Sequence, residues 1–278
     1  MSSRRVLVMS VSLLLCGCDW DLSQVLFHPT VEHRVSESLS GNLGTPGPAE
    51  VDPDSFRFAV FGDPQVHSDS VHMLERFARD VGPNRIDFFC VLGDLTHDAT
   101  REQVGFISQA LDAVGIPYYV TAGNHDLYQA EGWDRFKQAF GPATYSVVFA
   151  DKVKLVFIDT ASELIGPTQF DWLETELGQA GQYVTLVGTH FPVYDGTFPT
   201  LYRTGSTAER YKLQHLLQSS GAYALVSGHI HGFRHTLAGK LHHFICGTMA
   251  PDELDYGSKG YLLFTFAHDS LSWEFAEF

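Results

Sequence analysis

Residues 56–65 read Phe-Arg-Phe-Ala-Val-Phe-Gly-Asp-Pro-Gln, an apolar run of strand type that breaks at Gly62 and delivers Asp63 and Gln65. The same construction returns along the chain. DFFCVL (87–92) ends in Gly93-Asp94, and PYYVTA (117–122) ends in Gly123-Asn124-His125-Asp126. TLVG (185–188) ends in Thr189-His190, and YALVS (223–227) in Gly228-His229-Ile230-His231. Strand after strand finishes in Asp, Asn or His, so oxygen and nitrogen donors gather at one sheet edge. In open α/β sheets, sites form beyond the carboxyl ends of the strands.

Helical spacings separate these runs. Val71, Leu74, Phe77, Ala78 and Val81 share one helix face over 69–81, stopped by Gly82-Pro83. Thr100 is placed to cap a helix reaching Val114, residues 131–140 form a short amphipathic helix, Thr168 is placed to cap a helix to Leu177, and 207–217 form another. YSVVFA and KLVFID flank an Asp151-Lys152 turn and read as a hairpin. The tail, 235–247 and 261–275, alternates like antiparallel strands. The expectation is an α/β fold, with parallel βαβ units first and a β-rich second half.

Carboxylate, amide oxygen and imidazole suit Mn, Fe or Zn; no cysteine stands where a thiolate ligand is needed. One carboxylate such as Asp94 can bridge two ions, and two ions about 3.5–4 Å apart clamp both oxygens of an in-line displacement. No serine nucleophile elbow or phosphate-cradling glycine loop competes for the chemistry.

The order Gly-Asp, Gly-Asp, Gly-Asn-His-Asp, Thr-His, Gly-His-x-His resembles the calcineurin-like metallophosphoesterase family over about residues 56–232. The resemblance implies a double β-sandwich flanked by helices (α/β/β/α) and two divalent or trivalent metal ions, Mn, Fe or Zn. It places Asp63, Gln65, Asp94 and His231 on one ion and Asp94, Asn124, His190 and His229 on the other. It puts His125 beside the leaving group, with Asp126 orienting it, and implies hydrolysis by a metal-bound hydroxide. The departure is Gln65: the family commonly has Asp-x-His there, and a glutamine is a weaker, neutral ligand. His67 is the substitute if the loop bends differently. His97 and Asp98 read equally as neighbours of the site or as the lead-in to the helix starting near Thr100.

The loop after His190 carries Phe191, Tyr194, Phe198, Tyr202 and Arg203. Tyr194 and its aromatic neighbours read as an apolar rim or as loop packing, and Arg203 as a phosphate fork. Cys90 and Cys246 read as two buried thiols, a disulfide being the alternative.

Arg4 and Arg5 precede a ten-residue, mainly apolar run, Val6 to Leu15, too short to span a bilayer comfortably. Leu15-Cys16-Gly17-Cys18 resembles the lipobox of bacterial lipoproteins, with Cys18 lipidated; a plain secretory signal or an uncut anchor is the alternative. The division expected is a signal peptide at 1–17, a tether at 18–55 (rich in Ser, Gly, Pro and acids over 36–54) and the phosphoesterase domain at 56–278. The protein would then be exported to the cell envelope and lipid-anchored to a membrane. With 278 residues, 44% of them apolar, the chain can build a sizeable core, and its net charge of −15 argues against nucleic-acid binding. Bound metal ions reverse that sign locally, so phosphate chemistry stays open. The function expected is dinuclear-metal hydrolysis of a phosphomonoester or phosphodiester, on a phosphorylated small molecule or lipid. A nucleotide or lipid pyrophosphatase, and a non-catalytic envelope lipoprotein using the domain for binding, are the alternatives.

Overall fold

The computed structural model describes residues 29–67, 72–178, 180–193, 204–250 and 254–278. Cys18, Tyr194 and Arg203, which carry the lipidation and substrate-contact expectations, lie outside them.

Two sheets stack face to face. One has five strands in the order β11-β10-β1-β2-β3. Its β1 (Ser55–Phe61), β2 (Phe88–Leu92) and β3 (Tyr118–Thr121) run parallel, while β10 (Gly260–Ala267) and β11 (Ser270–Glu277) join antiparallel. The other has six strands in the order β4-β5-β6-β7-β9-β8. Here β5 (Val153–Ile158), β6 (Val184–Thr189), β7 (Ala224–Ser227) and β9 (Leu241–Cys246) are parallel, edged by antiparallel β4 (Tyr145–Phe149) and β8 (Phe233–Ala238). The second half therefore repeats the parallel βαβ plan of the first, and is not merely a set of hairpins.

The period of two along each strand assigns the layers. In β1, Phe56, Phe58 and Val60 face the other sheet, and Ala59 and Phe61 face the helices. Phe58 stacks on Phe88 and Phe264 with centroids 4.8 and 5.0 Å away, and Phe88 stacks across the gap on Phe149 at 4.1 Å. Such buried aromatic pairs add about 0.5–1.5 kcal/mol each beyond their area. On the outer faces, α2 (His72–Arg85), α3 (Arg101–Ala113) and α4 (Gly132–Phe140) cover the first sheet. The second is covered by α5 (Pro167–Leu177) and α6 (Thr207–Ser220). The α/β/β/α order is the one expected.

Thr100 caps α3 by accepting the Gln103 N–H. Thr168 does not cap α5: Gly166 stands at that position, and the Thr168 hydroxyl donates to Glu32 instead. Ser206 caps α6.

The larger departure is the supposed tether. Residues 31–39 form a helix, α1 (Val31–Leu39), capped by Thr30 and buried at Val31, Arg34, Val35 and Ser38. Arg34, fully buried, pairs with the fully buried Asp159: Nε to Oδ2 at 2.7 Å and Nη2 to Oδ1 at 3.0 Å. Glu37 accepts from Trp133 Nε1 and Lys137 Nζ on α4. Further on, Tyr119 Oη receives the Ala49 N–H and donates to the Gly47 carbonyl. The stretch from 29 to 51 is thus a strap bound to the body, because its sparse apolar side chains share one helix face and its charges find buried partners. Among the described residues no helix is long and apolar enough to cross a membrane.

Candidate metal centre

Because β1, β2, β3, β6 and β7 point the same way within their sheets, their carboxyl ends converge at one edge of the sandwich. Each motif leaves its strand through a tight turn. Gly93 (φ 83°) lies so close to its neighbours that a Cβ would sit 2.6 Å from His190 Nδ1. A Cβ on Gly123 would sit 2.2 Å from both the amide nitrogen and Oδ1 of Asp94. The residues that follow take left-handed backbone: Asp63 (φ 55°), Gln65 (φ 38°), Asp94 (φ 50°) and His229 (φ 67°). Non-glycine residues accept that conformation at a cost of about 1–3 kcal/mol and cluster at functional sites when they do.

The geometry centres on His190, which is fully buried. Its Nδ1 lies 2.8 Å from the Leu92 carbonyl, which only accepts, so Nδ1 carries a proton and Nε2 is the nitrogen turned toward the other donors. Nε2 faces Asn124 Oδ1 at 2.9 Å, His229 Nδ1 at 3.2 Å and Asp94 Oδ1 at 3.3 Å. Ligands held 2.0–2.1 Å from one ion stand roughly 3.0–3.4 Å apart along the edges of an octahedron or tetrahedron. These spacings around Nε2 suit a single cation, and without one a proton on His190 takes its place. Asp63 accepts the His229 N–H on both oxygens at 3.0 Å, and its Oδ1 lies 3.8 Å from His231 Nε2. Gln65, almost buried, points its Nε2 at Asp94 Oδ2 from 3.4 Å. All the ligand residues expected from the sequence are brought together here, in a half built on His190 and a half built on Asp63. The half built on His190 fits a metal ion by donor chemistry as well as by spacing.

A family description of calcineurin-like phosphoesterases matches residues 56–233. The chain belongs to that family. Tartrate-resistant acid phosphatase type 5 of Rattus norvegicus is 29% identical, in a match that covers 58% of this chain and 60% of the rat protein. The chain thus spans less than two thirds of that relative's length. Among solved structures, a dimetal phosphatase from Danio rerio superposes with a TM-score of 0.62 at 12% identity, over 80% of this chain and 96% of that one. Purple acid phosphatase PPD1 of yellow lupin gives 0.61 at 18%, over 83% and 53%. GAP50, described as the anchor in the inner membrane complex of Plasmodium, gives 0.62 at 16%, over 81% and 85%. At these identities the superpositions speak for the fold alone.

The electrostatics of the phosphoesterase site follow from burial and pairing. Burial opposes ionisation of Asp94, yet His190 beside it, with help from His125 and His229, holds its carboxyl well below the usual range. Burial pushes Asp63 well above that range, with Asp94 adding to the rise and His190 opposing it. His190 itself, despite burial, is raised to about 9 by Asp94 and Asp63, whereas burial and His190 press His229 down to about 3. Two buried carboxylates among imidazoles call for positive charge, which a proton supplies poorly and divalent ions supply well.

His125 stands at the rim. Its Nδ1 donates to the His97 carbonyl at 2.7 Å, which leaves Nε2 as the acceptor of the Tyr128 hydroxyl at 3.1 Å. Tyr128 also receives Asn124 Nδ2 at 3.3 Å. Asp126 does not orient His125, contrary to the expectation. Its two oxygens take the N–H groups of Leu95, Thr96 and Gly123 and the Thr96 hydroxyl, between 2.9 and 3.3 Å. It staples the Asp94 loop to the Asn124 loop, and the turn beginning at His125 aims its carboxylate inward, away from the imidazole.

Phe191 is buried with its ring 3.8 Å from that of His229 and edge-on to His190 at 5.2 Å, so it packs the ligands and forms no rim. Cys90 and Cys246 are buried free thiols. Sequence reasoning missed Tyr128 and Asp255. Asp255 accepts the His231 N–H at 2.8 Å. Tyr128 was open to discovery at i+3 from His125, but Asp255, 24 residues beyond His231, gave no local signal.

Proposed function

We propose that this chain hydrolyses phosphate esters at a two-metal centre. Asp63, Gln65, Asp94 and His231 would hold one ion, and Asp94, Asn124, His190 and His229 the other. The observation that carries the reading is the convergence of three ligand-type atoms on Nε2 of His190, from 2.9 to 3.3 Å. Bound ions supply Lewis acidity to phosphoryl oxygens and lower the pKa of a water molecule. The rest falls to the chain. The His97 carbonyl fixes the tautomer of His125, so Nε2 is the ring nitrogen that would take up a proton from solvent and give it to the departing ester oxygen. Tyr128, donating to that nitrogen, keeps the ring aimed at the opening of the site. The rat relative named as an acid phosphatase supports a phosphate ester as substrate.

The test is hydrolysis of aryl phosphates and of aryl phosphodiesters by the full-length protein supplied with Mn, Fe or Zn. Metal-dependent turnover, lost in His125→Ala while metal content stays, is the expected result. Absence of turnover with every metal, in protein shown to hold two equivalents, would refute it and favour the non-catalytic binding module.

The same reading includes export and lipidation at Cys18, which the sequence around residues 15–18 supports. Incorporation of labelled fatty acid that persists in Cys18→Ala would rule this out.

A further inference from the structure

Three ligand-type side chains that the dinuclear reading leaves unused meet beside it. The loop after β1 and the loop after β2 run side by side, bridged in parallel at Val66 and Thr96. Val66 donates its N–H to the Leu95 carbonyl at 3.1 Å, and His97 returns its N–H to the Val66 carbonyl at 3.3 Å. This register sends His67 and His97 out together, their rings 4.2 Å apart and 31° from parallel. Asp98 follows, its Oδ1 3.0 Å from His97 Nδ1. From each of His67, His97 and Asp98 one donor atom lies within 4.8 Å of the other two.

We propose that His67, His97 and Asp98 form a further metal site, for a divalent transition-metal ion, separate from the dinuclear centre. Two imidazoles and one carboxylate are a donor set for Zn, Fe, Mn or Ni, with coordination positions left for water or a substrate oxygen. The carboxylate is oriented in the way metal ligands are. Gln103, itself buried, donates Nε2 to Asp98 Oδ2 at 3.0 Å and accepts the Asp98 N–H at 2.7 Å, which leaves Oδ1 on the side of the histidines. The platform is firm: the Thr96 hydroxyl receives the Ala99 N–H at 3.1 Å and donates to Asp126. Access is open, since the side chains of His97 and Asp98 are 33% and 50% exposed. A structural role for the stacked histidines would not require Gln103 to hold the acid in place. The site also touches the chemistry. The His97 carbonyl is the group that fixes His125, so an ion on the His97 side chain would stiffen the loop that sets the catalytic tautomer.

The experiment uses the full-length protein, stripped with a chelator, reloaded with Zn(II) alone and freed of loose metal by gel filtration. Wild type is expected to retain about three equivalents and the double variant His67→Ala/Asp98→Asn about two, with proton release on loading reduced in parallel. Equal zinc content in wild type and double variant overturns the site, whatever the activity. A wild type holding about one equivalent, lost in the double variant but kept in His190→Ala, upholds this site and refutes the two-metal reading instead.

Discussion

Replacing Arg34 with Met should strip most of the support from one buried acid. Arg34 gives Asp159 two bonds, 2.7 and 3.0 Å, gives Ser162 Oγ one at 3.0 Å and gives the Pro29 carbonyl one at 2.6 Å. Both side chains of the pair are 0% exposed. Methionine restores the apolar volume but no donor, so Asp159 keeps the Ala161 N–H and little else to stabilise its charge. Removing one partner of a buried pair costs about 3–5 kcal/mol. At about 2–4 °C per kcal/mol for a domain of this size, Arg34→Met should melt roughly 6–20 °C below wild type. The double variant Arg34→Met/Asp159→Asn removes the stranded charge and should regain a good part of the loss, because the two sites share one interaction. Urea denaturation of both variants, followed by circular dichroism, measures each step. If Arg34→Met unfolds within about 1 kcal/mol of wild type, the segment 31–39 is not docked in solution. The original reading of that stretch as a tether would then return.

Other consequences can be measured on the same protein. Gly123→Ala puts a methyl group 2.2 Å from Asp94 Oδ1, so it should displace that carboxylate and lower metal content, even in protein that still folds by circular dichroism. In chelator-treated protein, His190 is raised to about 9 against an ordinary 6.5. Its stabilising contribution is complete below 6.5 and is lost as pH rises through about 9, at most about 3 kcal/mol. Asp63, also raised, acts in the same direction. Thermal melts between pH 6.5 and 9.5 should fall in chelator-treated protein and stay level in metal-loaded protein, and identical profiles would contradict the assignment. Gln65→His restores an imidazole to the Asp63 half and should slow metal loss to a chelator by tenfold or so; faster loss would show that Gln65 ligates better than His at that position.

The metal centre was legible because a period of two and a terminal Gly-Asp or Gly-His announce a strand and its end in a few residues. The pairing of β10 with β1, Ser55 against Ala267 and onward, was not, since nothing local links residues more than 200 apart. The strap escaped for a different reason. α1 is nine residues long and mostly polar, and its one fully buried ion pair is made by an arginine whose partner is 125 residues away. By composition Arg34 reads as solvent-facing; only the folded chain shows the acid that makes its burial possible. The continued parallel plan of the second half was hidden because LSWEF and FICG look alike as isolated strand runs, while one lies on an antiparallel edge and the other inside the parallel sheet.

The Asn-His-Asp sequence shows why residue type alone does not assign a role. Asp94 and Asp126 are both buried acids in tight loops, and by sequence the first reads as a ligand and the second as the partner of His125. The backbone decides between them. Asp126 faces three N–H groups and a hydroxyl, which satisfy its oxygens without a cation, yet burial together with Asp94 still raises it to about 6. Asp94 receives a single backbone N–H, from His125 at 2.9 Å, and turns its remaining lone pairs toward imidazoles and the Gln65 amide. A carboxylate with its backbone donors already in place is a staple, whereas one left facing imidazole nitrogens is placed to share a cation with them. The left-handed turn at Asp94 aims it outward from its own loop, so the strain at that residue and its role at the centre have one origin.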